Sequence, residues 1–116
     1  MTVLRIVPNV AVNDTDEAKE FYAAILGLEV LMDMGWIVTF GTQTEASTQI
    51  SVMTQGGNET PVPDISIEVD DLESTLDRLR LAGHAPEYGP ATEEWGVRRF
   101  FVRDPSGKLI NILTHA

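Results

Sequence analysis

With 116 residues, 43% of them hydrophobic and 22% charged, the chain is long enough for one shared core and too short for two conventional domains. It has no cysteine, which excludes a disulfide framework, thiolate metal ligands and a cysteine nucleophile, and suits a reducing cytoplasm. Eighteen acidic residues against eight basic ones leave a formal charge of −10, so nucleic acid and anionic membranes are poor partners and the acidic surface reads as solubility. No apolar run reaches the ~20 residues of a membrane span, and Met1 to Arg5 lacks the pattern of a secretory signal, so a cytoplasmic location is expected.

The first strand is predicted over Leu4 to Val12, with Ile6, Val10 and Val12 on one face, and Pro8 implies an edge position or a bulge. Asn13 or Asp14 caps a helix from Thr15, with Asp16, Glu17 and Glu20 favoured by its dipole. Ala18, Phe21, Tyr22, Ile25 and Leu26 make its buried stripe, and Gly27 stops it. Three short strands follow, at Glu29 to Met32, Trp36 to Gly41 and Gln49 to Thr54, the last two separated by the polar stretch Thr42 to Ser47. Residues 55–63, rich in glycine and proline, break the periodicity as a linker.

The plan then restarts. Ile65, Ile67 and Val69 alternate with Asp64, Ser66 and Glu68, and Asp70-Asp71 stands where Asn13-Asp14 stood, 57 residues earlier. A helix from Leu72 with Leu76, Leu79 and Leu81 apolar ends at Gly83. Strands are predicted at Ala85 to Tyr88, Val97 to Arg103 and Lys108 to Leu113, the last two joined by the turn Asp104-Pro105-Ser106-Gly107. Ile110 to Thr114 mirrors Ile50 to Thr54 at an offset of 60. The reading is one α+β domain of two tandem βαβββ repeats, about residues 3–55 and 64–116 around a linker of about 56–63. Their mixed sheet curls around a cavity with the helices outside, because each repeat has one sheet face that its helix leaves bare.

The motifs Val10-Ala11-Val12-Asn13-Asp14, Phe21-Tyr22 and Leu26-Gly27-Leu28, then Glu68-Val69-Asp70-Asp71-Leu72, Leu79 to Gly83, Trp95-Gly96 and Asp104 to Ile110, resemble the glyoxalase, bleomycin-resistance and extradiol-dioxygenase proteins, the vicinal oxygen chelate superfamily. The resemblance covers nearly the whole chain. It implies small-molecule ligands, a homodimer and, in metal-using members, four ligand points that hold a divalent ion with open positions for a chelating substrate. Carried over by spacing, those points fall on Val7, Ser51, Asp64 and Asn111. Asp64 alone is a good ligand, since Val7 has no donor and Ser51 and Asn111 offer neutral oxygens. A protein without a cofactor is therefore expected, with a lyase, isomerase or dioxygenase using a divergent divalent-metal site as the alternative.

Alternation puts Asn9, Ser51, Asp64, Ser66 and Asn111 on the faces away from the helices, where a run of small polar residues suits a ligand better than a core. Trp36 fits core packing as well as a pocket wall, whereas Trp95, between polar Thr92-Glu93-Glu94 and Gly96, fits the wall. The expected ligand-binding set is thus Val7, Asn9, Trp36, Ser51, Asp64, Ser66, Trp95 and Asn111, with Asp64 as the formal charge in the cavity. His84 and His115 read as surface residues, and no nucleophile elbow or phosphate loop is present. The expected activity is sequestration of a metabolite or an antibiotic, most naturally a planar or cationic one.

Overall fold

The computed structural model describes residues 1–42 and 48–115 and is α+β, with eight strands in a mixed sheet and few, short helices. In chain order these are β1 (Val3–Ala11), α1 (Thr15–Lys19), β2 (Glu29–Asp33), β3 (Ile37–Gly41), β4 (Gln49–Met53), β5 (Ile65–Val69), α2 (Leu72–Leu81), β6 (Tyr88–Thr92), β7 (Val97–Arg103) and β8 (Leu109–His115). Residues 43–47 of the polar stretch read between β3 and β4 lie outside the described residues. Among the described residues no helix is long and apolar enough to cross a membrane.

The chain divides into two units, Val7–Val62 and Met1–Ile6 with Pro63–Ala116, called here the first and the second. In the first the strand order is β2-β3-β4-β1, with β1 parallel to β4 and the other neighbours antiparallel. In the second it is β6-β7-β8-β5, followed by the start of β1, with β5 parallel to β8. The same β-α-β-β-β topology therefore occurs twice. Asn9 pairs with Ser51 in one unit and Ser66 with Asn111 in the other, at the offsets of 57 and 60 that the sequence shows.

Each unit packs its helix on one sheet face. Val38, Phe40 and Val52 with Ala18 form the first core, and Val12, Tyr22, Ala23, Leu28 and Ile50 pack against it. Val69, Phe100, Val102, Ile110 and Ile112 with Leu72 and Leu76 form the second. Both predicted acidic caps are made: Asp14 accepts from the Asp16 amide and Asp71 from the Ser74 amide. Gly27 and Gly83, at φ 77° and 91°, take the left-handed conformation that ends each helical segment cheaply only for glycine.

Three local expectations are corrected. The first helix keeps α geometry only to Lys19 and continues as a π-helical turn, Glu20–Ile25, in which the Leu26 amide reaches back to the Phe21 carbonyl. Bonds to the fifth residue back rotate the side chains away from a 3.6-residue stripe, so Phe21, Ile25 and Leu26 are exposed while Tyr22 packs on Phe40. Leu81, at the end of α2, is also exposed. β1 comes last in the strand order of each unit, its start beside β5 and Asn9 to Ala11 beside β4. Pro8, which lacks an amide hydrogen, immediately precedes the residues that pair with β4. The strand predicted at Ala85 to Tyr88 begins at Tyr88 and continues through Pro90, because β6 is an edge strand whose register shifts between Tyr88 and Ala91 and so tolerates a proline.

Candidate functional site

Residues of β5, β7 and β8 that alternate with the second core must point to the face opposite α2. These are Ser66 and Glu68, Arg99 and Phe101, and Asn111, Leu113 and His115. Register lines them up in rows: Ser66, Asn111, Phe101 and Tyr88 across β5-β8-β7-β6, and Glu68, Leu113, Arg99 and Ala91 beside it. An apolar strand face would suffice for packing, yet this one carries buried polar and charged groups.

Asn111 is 7% exposed, and its Nδ2 donates to Ser66 Oγ at 3.0 Å. Its Oδ1 is buried and accepts no hydrogen bond from the described residues. A buried amide oxygen without a donor costs ~1–3 kcal/mol unless something else supplies the hydrogen.

Beside it lies a buried ion pair. Arg99 Nη2 donates to Glu93 Oε2 at 2.9 Å, and the Tyr88 hydroxyl donates to Glu93 Oε1 at 2.9 Å. The two charged side chains are 4% and 2% exposed. The Arg99 guanidinium carbon lies 4.8 Å from the Phe101 ring centroid, 5.0 Å from Trp95 and 5.3 Å from Tyr88. The hairpin that brings Glu93 and Trp95 here closes with the Glu93 amide on the Val97 carbonyl at 2.7 Å.

A third cluster uses β1, β5 and β8: Glu68 binds Arg5 Nε through Oε1 at 3.0 Å and His115 Nδ1 through Oε2 at 2.6 Å.

Of the eight residues expected to bind a ligand, Val7, Asn9, Trp36 and Ser51 belong to the first unit and Asp64, Ser66, Trp95 and Asn111 to the second. In the first, Asn9 and Ser51 are register partners, and Ser51 Oγ is 2.7 Å from Thr39 Oγ1 in a buried hydroxyl pair. Val7 is buried, and Trp36 is half-buried with its carbonyl accepting from the Thr54 amide. In the second, Ser66 and Asn111 come together and half-buried Trp95 covers Arg99. Asp64 does not provide a buried charge. It is exposed, and its Oδ2 accepts from the Leu109 amide, which closes the end of the β5–β8 pair. The buried charges belong to Arg99 and Glu93, which the sequence reading passed over. Continuing the alternation along β7 from Phe100 and Val102 would have put Arg99 on the face opposite α2.

The four inferred ligand points do not fit a transition metal ion. Val7 has no donor, Ser51 shares its hydroxyl with Thr39, Asp64 is engaged by a backbone amide, and Asn111 offers one neutral oxygen. Among the described residues no three His, Asp or Glu side chains converge as a metal-binding group. A separate open cavity of about 290 Å³ lies on the α2 side of the second unit, among Val3, Ile67, Val69, Thr75, Arg78 and Leu79, and none of the eight expected residues lines it.

Comparison with known proteins agrees with this architecture. No curated protein matches the chain in sequence. A Streptomyces coelicolor methylmalonyl-CoA epimerase superposes with a TM-score of 0.74 at 21% identity over 99% of both chains. A glyoxalase/bleomycin resistance protein/dioxygenase superfamily member from Vibrio splendidus 12B01 does so at 0.67 and 19%, covering 99% of this chain and 100% of its own. A structure described as an NAD-dependent benzaldehyde dehydrogenase from Legionella pneumophila gives 0.73 at 13%, over 97% and 100%. At these identities the likeness is one of fold, and neighbours so differently named set no activity. The profile of the Glyoxalase/Bleomycin resistance protein/Dioxygenase superfamily matches residues 3–112, and with both βαβββ units in place the chain belongs to that superfamily.

Proposed function

We propose that this protein binds a small molecule on the face of the second unit opposite α2, without a divalent metal, in the manner of a sequestering or carrier protein. The carrying observation is the Asn111 carboxamide: one end is fixed by Ser66, while the buried Oδ1 has no donor among the described residues. A ligand N–H or O–H would satisfy it. The aromatic side chains of Tyr88, Trp95 and Phe101 supply the apolar surroundings usual for such sites. The donor chemistry at Val7, Ser51, Asp64 and Asn111 favours this reading over a metal-dependent lyase, isomerase or dioxygenase. We also propose a homodimer, since each unit exposes large apolar side chains, among them Leu4 and Ile6 in the second and Phe21 and Ile25 in the first.

The test is elemental analysis of untagged protein together with ligand screening by tryptophan fluorescence on wild type and Asn111→Leu. Sub-stoichiometric zinc, nickel, iron and manganese, and ligands that Asn111→Leu weakens, are expected. A stoichiometric metal that disappears in Asp64→Ala would overturn the metal-free reading.

A further inference from the structure

The charges on this face say what class of ligand it takes. A cationic aromatic molecule needs a carboxylate or an open ring face. The carboxylates of the second unit near these rows are already engaged: Glu93 by Arg99 and Tyr88, Glu68 by Arg5 and His115, and Asp64 by the Leu109 amide. The three rings are engaged as well, since Tyr88, Trp95 and Phe101 all lie within 5.3 Å of the same guanidinium. A second cation brought to those rings competes with the Arg99 guanidinium, which already occupies them. An anion fares little better, because the positive charge of Arg99 is matched by Glu93 at 2.9 Å and the chain as a whole carries −10. What remains is a buried acceptor, Asn111 Oδ1, on the residue that pairs in register with Phe101.

We infer that the face selects an uncharged, planar molecule that presents an N–H or O–H donor to Asn111, and that the Arg99–Glu93 pair excludes cationic aromatics. This selectivity is opposite to the one an acidic protein suggests. It rests on the reading of the face as a ligand site, and the two can be separated.

Three planar bicyclic probes of similar size separate the terms: 2-quinolone is neutral with an N–H, 1-methyl-2-quinolone is neutral without it, and 1-methylquinolinium, which also lacks the carbonyl oxygen, is a cation. Dissociation constants from ligand-observed NMR should rank them in that order. N-methylation should weaken binding about tenfold, the worth of one hydrogen bond. Asn111→Leu should weaken 2-quinolone by the same factor and leave the methylated compound unchanged. The cation should bind at least about tenfold more weakly than 2-quinolone, and the double variant Arg99→Met/Glu93→Gln, checked for folding by circular dichroism, should narrow that gap by removing the resident cation. A cation that binds wild type as tightly as 2-quinolone, or an N-methylation without cost, overturns the inference while leaving the site standing. If 2-quinolone does not bind, or binds Asn111→Leu as well as wild type, the site reading fails and the inference with it.

Discussion

Arg99 and Glu93 form a fully buried ion pair, Nη2 to Oε2 at 2.9 Å, on the sheet face that α2 leaves uncovered. Taking both charges out of water costs several kcal/mol each, and the return comes from their mutual attraction, the Tyr88 hydroxyl on Glu93 and the three rings around the guanidinium. Such a pair is poor value as a stability device, since apolar residues of similar volume often do as well.

Breaking the pair from one side is therefore expected to be far worse than removing it. Arg99→Met leaves a buried carboxylate uncompensated and should cost about 3–5 kcal/mol, whereas Arg99→Met/Glu93→Met should recover most of that loss. Urea unfolding of the two single variants and the double variant measures the coupling directly. Additive losses would show that the two side chains do not depend on each other.

The repeat was legible in the sequence because glycine stops, acidic caps and alternating strands recur at nearly fixed offsets, and local chemistry determines all three. Asp14 and Asp71 are the clearest cases. The π-helical turn was not legible: Phe21, Ile25 and Leu26 fit a 3.6-residue stripe, and nothing local announces the change of winding. In the site, Ser66 and Asn111 followed from alternation. Arg99 was missed because a charged residue inside a strand reads as solvent-facing until a partner is known, and Glu93 comes from a turn whose path the sequence does not specify. Asp64 was misplaced for a related reason, since a carboxylate at a strand end serves backbone amides as readily as a ligand.

Both caps can be tested on their own. Asp71→Ala removes the acceptor for the Ser74 amide and Asp14→Ala that for the Asp16 amide, each at an exposed position. A loss of about 1 kcal/mol is expected for each. The Asp71 variant should show it more cleanly by thermal unfolding, because α2 anchors Leu72 and Leu76 in a core whereas α1 buries only Ala18. A loss well above 2 kcal/mol would show that the aspartate does more than cap.

Self-association should follow from apolar side chains in water. Leu4 and Ile6 are each 58% exposed, and Phe21, Ile25 and Leu26 are 52%, 66% and 56% exposed within one turn. A stable interface of about 800 Å² per partner needs a patch of this kind. Sedimentation velocity at micromolar concentration should show a dimer, with Ile6→Lys and Ile25→Lys identifying which surface forms it. A wild-type monomer at that concentration rules out the dimer.

Acid should unfold the protein through a small set of surface carboxylates that are held ionised. Asp33 titrates below its ordinary value because Lys19 Nζ lies 2.7 Å from Oδ2 and the Gly35 amide donates to Oδ1. Asp104 is lowered by the Ser106 hydroxyl first and then by the Lys108 amide. Glu87 is lowered by Arg103, and Asp70 by the Thr2 amide. In each case the folded state binds its proton less readily than the unfolded chain, so the contribution is complete above about pH 4, where the unfolded carboxyls are ionised, and is lost as pH falls through the lower native values. The stability gap between wild type and Asp33→Asn or Asp104→Asn should therefore be widest near neutrality, shrink below about pH 4 and close once the native carboxyls are protonated. Salt separates the two. Raising sodium chloride should narrow the Asp33 gap, which depends on a charged lysine, and leave most of the Asp104 gap, whose donors are neutral. Thermal midpoints collected from pH 7 to pH 2 at two salt concentrations test both statements, and a gap that stays constant across that range would remove these carboxylates from the account of acid unfolding.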